Sequence, residues 1–183
     1  MRVIPSIIFT LLFTTTLSSQ KIDHSPHFHH LLNKIEAEYF EPLDAGYKDY
    51  RPLKNEYLNS HFSIKSNQEK MEIRYFIIPW NDDDPNTSTP NIQTFTAMTN
   101  IAVNTKEAII SAIQPTKESL STDYNADWGM TYFFKPKPVF SNREHCRMIA
   151  LCKEGKGTIF IFYLFDDAGN EALDRRSKGV RFL

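Results

Sequence analysis

Charge of one sign is what this chain lacks most plainly. Over 183 residues the formal net charge is −1, so electrostatics gives no case for a nucleic acid or an acidic membrane surface as partner. Long apolar runs are also missing from the interior of the sequence. A membrane-spanning helix needs about 20 consecutive apolar residues, and no internal segment offers them. Neither a glycine-rich phosphate loop nor a G-x-S-x-G elbow occurs, no repeat or low-complexity tract is visible, and no cofactor is expected.

Cysteine is scarce as well. Cys146 and Cys152 lie in "HCRMIALCKEGKGTIFIFYLFDD", two apolar runs either side of Gly155 and Gly157, which reads as a β-hairpin with a glycine-containing turn. On one strand, six residues at about 3.3 Å each hold the two thiols about 20 Å apart. A disulfide needs its Cα atoms within roughly 4.4–6.8 Å. In a helix the pair would fall about 240° apart, so neither geometry bridges them. They read as small buried hydrophobes or as partners in an intermolecular disulfide. Adjacent strand residues face opposite ways, so His145 cannot serve Cys146 as a base.

The N-terminus is where the apolar residues gather. Residues 1–19 begin with Arg2, run through "VIPSIIFTLLF" and end in "TTTLSS", the pattern of a signal peptide. Cleavage after Ser19 is predicted, leaving a secreted or periplasmic chain from Gln20 with a net charge of −2 and no transmembrane anchor. The remaining length of about 164 residues suits one domain with a sizeable core. Fourteen Phe and eight Tyr fit a well-packed fold.

Behind the signal stands "HSPHFHH", holding four of the six histidines. Ser25 and Pro26 read as a helix cap and first residue. The stripe Phe28, Leu31, Leu32, Ile35 and Tyr39 predicts a helix ending near Pro42. On its outer face His27 and His30 are the one pair able to share a metal. Lys34, four residues past His30, puts a cation where a third ligand is wanted, and zinc normally takes four. A solvated helix surface is the simpler reading.

Residues 42–59 read as an ordered loop bearing Tyr47, Tyr50 and Tyr57. "HFSIKS" and "MEIRYFIIP" form a hairpin, in whose second strand Ile73, Tyr75 and Ile77 alternate with Glu72 and Arg74 as in a half-buried strand. "WNDDDPNTSTPN" is a turn-forming loop without the spacing of a calcium loop. "IQTFTAMTNIAVNTKEAIISAIQ" has helical spacing, with a break near Asn104 and Thr105 recapping a second piece. "GMTYFFKPKP" reads as an edge strand stopped by prolines. The run "TIFIFYLF", apolar on both faces, belongs at the centre of the sheet, and Asn170 can cap a short helix before the terminal "VRFL".

The fold class expected is α+β: a single domain over 20–183, with an antiparallel sheet built from hairpins and packed by helices in a sandwich-like arrangement. The order of "MEIRYFIIP", a helix, "ADWGMTYFFKPKP" and the hairpin ending "IFYLFDD" resembles the PsbP-like group of exported proteins over about residues 57–167. That resemblance implies an accessory binding role without shared catalytic residues.

Two further kinds of site are conceivable. Asp123 and Asp127 in "TDYNADWG" are the acid/base candidates for a hydrolase acting on a cell-surface polymer, since a carboxylate beside Trp128 can have a raised pKa. The alternative for these aspartates is turn capping. Trp80, Trp128, Tyr47 and Tyr50 can form an aromatic platform for a glycan, or simply core and lid. The first expectation is an exported, non-catalytic protein that binds a protein or glycan partner.

Overall fold

The computed structural model describes residues 25–183, so the signal-peptide reading and His24 lie outside the described residues. Seven strands make one antiparallel sheet in the order β2-β3-β4-β8-β7-β6-β5. They are β2 (Lys48–Asp49), β3 (Phe62–Ser66), β4 (Met71–Pro79), β5 (Ser111–Ile113), β6 (Trp128–Phe134), β7 (His145–Lys153) and β8 (Gly157–Phe165). The run expected at the centre is there: β8 is fourth of seven and buried along its whole length.

Period-two alternation splits the core in two. Ile73, Tyr75, Ile77, Ile161 and Tyr163 pack on one face. Met148, Ala150, Phe160, Phe162 and Leu164 pack on the other. Helix α1 (Pro26–Lys34) packs on the first face through Phe28, Leu31 and Leu32. Helix α2 (Pro90–Ile101) packs on the second through Ala97, Met98 and Ile101. A short helix α3 (Lys117–Ser119) runs on into a π-type turn (Leu120–Tyr124), and helix α4 (Ala172–Arg176) begins where Asn170 Oδ1 accepts the Ala172 N–H at 3.0 Å. Helices thus cover both faces of an antiparallel sheet in one domain.

Four local readings change. The first helix stops at Lys34, because Glu36 takes a left-handed φ of 51°. The chain then forms strand β1 (Ala37–Tyr39), paired with the C-terminal strand β9 (Val180–Phe182) in a separate two-stranded sheet. The loop from 42 to 59 contains β2, which edges the main sheet. The second half of the predicted central helix is β5, held to β6 through Ser111↔Phe133 and Ile113↔Thr131. β6 is therefore next to the edge and not the edge itself. Finally, Glu72 and Arg74 are not solvated: their relative exposures are 4% and 3%. Cys146 and Cys152 are free and buried in the α2-side face of β7.

Candidate functional site

β4 decides where open surface remains. Its even-numbered residues face the α2 side, and they change character along the strand: Glu72 and Arg74 first, then Phe76 and Ile78. Helix α2 sits toward β6 and β7, so this flank of the sheet is bordered by one side of α2, the segment 50–60 and the loop 136–143. Asn55 shapes the first of these, its Oδ1 accepting the N–H groups of Tyr57 and Leu58 at 2.9 and 2.8 Å. Lys137 ties the second to α2, donating to the Asn100 carbonyl at 2.8 Å and lying 5.1 Å from the Tyr57 ring centre.

Between α2 and the sheet lies a groove of about 320 Å³, floored by Phe76, Ile78 and Phe160. The Phe76 and Phe160 rings are parallel within 6° at 6.2 Å, and His61 stacks on Phe76 at 4.6 Å. Polar groups sit on the rim, among them Asn86, Gln93 and Asn100. Gln93 Nε2 donates to the Asn86 carbonyl at 2.6 Å, while its Oε1 is shielded from water and has no hydrogen-bond partner among the described residues. An acceptor left in that state costs about 1–3 kcal/mol. An apolar floor with a few convergent polar groups, in a volume near the lower end of the 300–1,000 Å³ range, is what small-molecule sites share.

A second groove, of about 350 Å³, lies over the charged part of β4. Arg74 donates through Nε to Glu72 and through Nη1 to the Phe140 carbonyl at 2.8 Å, with its guanidinium over the Phe140 ring at 4.7 Å. A buried ion pair of this kind is held by geometry and added hydrogen bonds, since desolvation alone opposes it. A third hollow, of about 400 Å³, shares Tyr50 with the second.

The residues singled out from sequence disperse. Tyr47 is buried in the α1-side core, where its hydroxyl donates to Glu69 Oε2 at 2.5 Å; burial and that carboxylate push its pKa up. Tyr50 alone of the four aromatic candidates lines these grooves. Trp80 follows β4, its indole N–H donating to Asp82 Oδ1 at 2.8 Å. Trp128 opens β6 opposite Cys152 and packs on the α2-side core.

Asp127 Oδ2 accepts the Glu154 N–H at 2.9 Å, tying down the β7–β8 turn from an exposed position. Asp123 binds Lys178 at 2.7 Å and Ser119 Oγ at 2.9 Å. Lys178 first and Ser119 second hold its carboxyl below the usual range, the reverse of the raised pKa a general acid would want. His27 turns its ring edge to His61 at 5.3 Å, while His30 is exposed. No group of three or more His, Cys, Asp or Glu able to hold a metal exists among the described residues. None of the described helices is long and apolar enough to cross a membrane.

Sequence reading missed Glu72, Arg74, Phe76, Ile78 and Gln93. The signal was present in "MEIRYFIIP": the second face of that strand passes from charged to apolar halfway along. No family model, curated protein or solved structure matches the chain.

Proposed function

We propose that the chain is an exported binding protein, and that the groove under α2 is its ligand site. The occupant is a small amphipathic molecule with an apolar body and a hydrogen-bond-donating head. The observation that carries this reading is the apolar floor of Phe76, Ile78 and Phe160 beneath a polar rim that includes Asn86, Gln93 and Asn100. Apolar area removed from water is worth about 25 cal/mol per Å², and the polar rim can pair the head. The engagement of Asp123 and Asp127 in turn and ion-pair contacts favours binding over hydrolysis. The likeness to PsbP-like accessory proteins points the same way and is carried on element order alone.

Titration calorimetry with 1-decanol tests the site. Saturable one-to-one binding with a negative heat-capacity change is expected, lost in Thr96→Trp, whose indole would fill the groove from an exposed position. Absence of binding, or binding unaffected by Thr96→Trp, would contradict the assignment. Export is tested by sequencing the N-terminus of protein recovered outside the cytoplasm: Gln20 is expected, and an intact Met1 start would count against a cleaved signal.

A further inference from the structure

The second and third grooves share Tyr50, and their linings hold five cations against three carboxylates in a chain whose net charge is −1. Lys48 and Lys65 stand directly opposite each other in the β2–β3 pair. Like charges in that position repel and cost stability; the carboxylate opposite Lys65 on its other side, Glu72 in the β3–β4 pair, is itself bound to Arg74. Lys65 has no carboxylate partner among the described residues and rests 5.4 Å from the Tyr50 ring centre. Arg74, 3% exposed, spends Nε on Glu72 and Nη1 on Phe140, leaving Nη2 without a partner among the described residues. Beyond Tyr50, the third groove is lined by Arg51 and Lys54 and by one carboxylate, Asp49, and neither cation forms an ion pair among the described residues. Two carboxylates, Glu72 and Asp166, line the second groove, and both are engaged, by Arg74 and Arg143.

We infer that these two grooves form one continuous site for an acidic glycan, a chain of sugar residues bearing carboxylates, with Tyr50 as the ring on which one sugar stacks. Tyr50 lines both hollows, about 350 and 400 Å³, so an occupant that fills both is extended and longer than one sugar. A flat ring offers contact area to a pyranose face at low entropic cost. Cations in both hollows match a ligand that repeats its charge along the chain. Ser141 and Asn142 on the same wall supply donors and acceptors for hydroxyl groups. This site is separate from the groove under α2, and neither depends on the other.

Calorimetry with trigalacturonate, maltotriose and hexaglutamate tests the inference on the mature chain. Trigalacturonate should bind saturably and maltotriose should not. Lys65→Gln, Arg51→Gln and Tyr50→Ala should each weaken trigalacturonate by roughly tenfold, the scale of one charge-assisted contact or one stacked ring, with no lowering of the melting temperature by Lys65→Gln or Arg51→Gln. Thr96→Trp should leave trigalacturonate binding intact, which separates failure here from failure of the α2 groove. Hexaglutamate binding as tightly as trigalacturonate would overturn the sugar assignment in favour of an acidic peptide. No binding of trigalacturonate, or binding indifferent to Lys65→Gln and Tyr50→Ala, would overturn the site itself.

Discussion

Glu69 is the most heavily bonded carboxylate among the described residues. It accepts the Tyr47 hydroxyl at 2.5 Å, Arg175 at 2.8 Å and Arg176 at 2.9 and 2.6 Å, and so pins α4 to the β3–β4 turn. Burial raises its pKa, but Arg176, Tyr47 and Arg175 outweigh that and bring it from 4.5 down to about 2. A carboxylate more acidic in the folded chain than in the unfolded one contributes stability that is fully present above the unfolded value. That contribution should fade as pH falls from 4.5 towards 2. Chemical denaturation across this window should show a steep loss for the native chain and a flatter curve for Glu69→Gln; equal slopes would refute the link. None of this was legible beforehand, because Glu69 stands in a polar turn and its partners lie 22, 106 and 107 residues away. Glu72 and Arg74 were half legible. Their shared face follows from a spacing of two, but their burial depends on Phe140, which arrives from a distant loop.

Elements were legible where their period was unbroken and long-range pairing agreed with it. The β3–β4 and β7–β8 hairpins and the core of α2 meet that condition. The stretch from Ile35 to Tyr39 does not. Its apolar spacing is helical, yet Ala37–Tyr39 pairs with the far terminus through Ala37↔Phe182. Tertiary pairing likewise turns 111–113 into an edge strand despite helical spacing. The β7–β8 turn shows what close approach demands of a residue. Gly157 has φ +145°, and a Cβ there would meet the Ile78 carbonyl oxygen at 2.4 Å; Gly155 has φ +70° with nothing within 4 Å. Gly157→Ala should therefore cost at least about 2 kcal/mol, from strain and displaced backbone together. Gly155→Ala should cost about 1 kcal/mol, from its left-handed conformation alone. Thermal denaturation compares the two, and equal losses would mean that the contact with β4 is not tight.

At the scale of the whole molecule, a seven-stranded sheet covered on both faces leaves one flank of its α2 side under loops, and the grooves follow from that offset. The fold class could be read from hairpins and a doubly apolar strand. The grooves could not, because they depend on where α2 lands across the sheet, which no local pattern encodes. The aromatic candidates illustrate the difference: composition picked out Tyr47, Tyr50, Trp80 and Trp128 alike, and of these four Tyr50 alone lines the grooves described. The acidic candidates fared similarly, Asp123 and Asp127 being drawn into turns and ion pairs.

The central claim is that the groove between α2 and β4 takes an apolar ligand. An amide chemical-shift map of the ¹⁵N-labelled mature chain during titration with 1-decanol tests it most directly. Saturating shifts confined to Asn86–Asn100, Tyr57–Leu58 and the Phe76, Ile78 and Phe160 amides are the result expected. Shifts centred elsewhere, or none at saturating decanol, would contradict it.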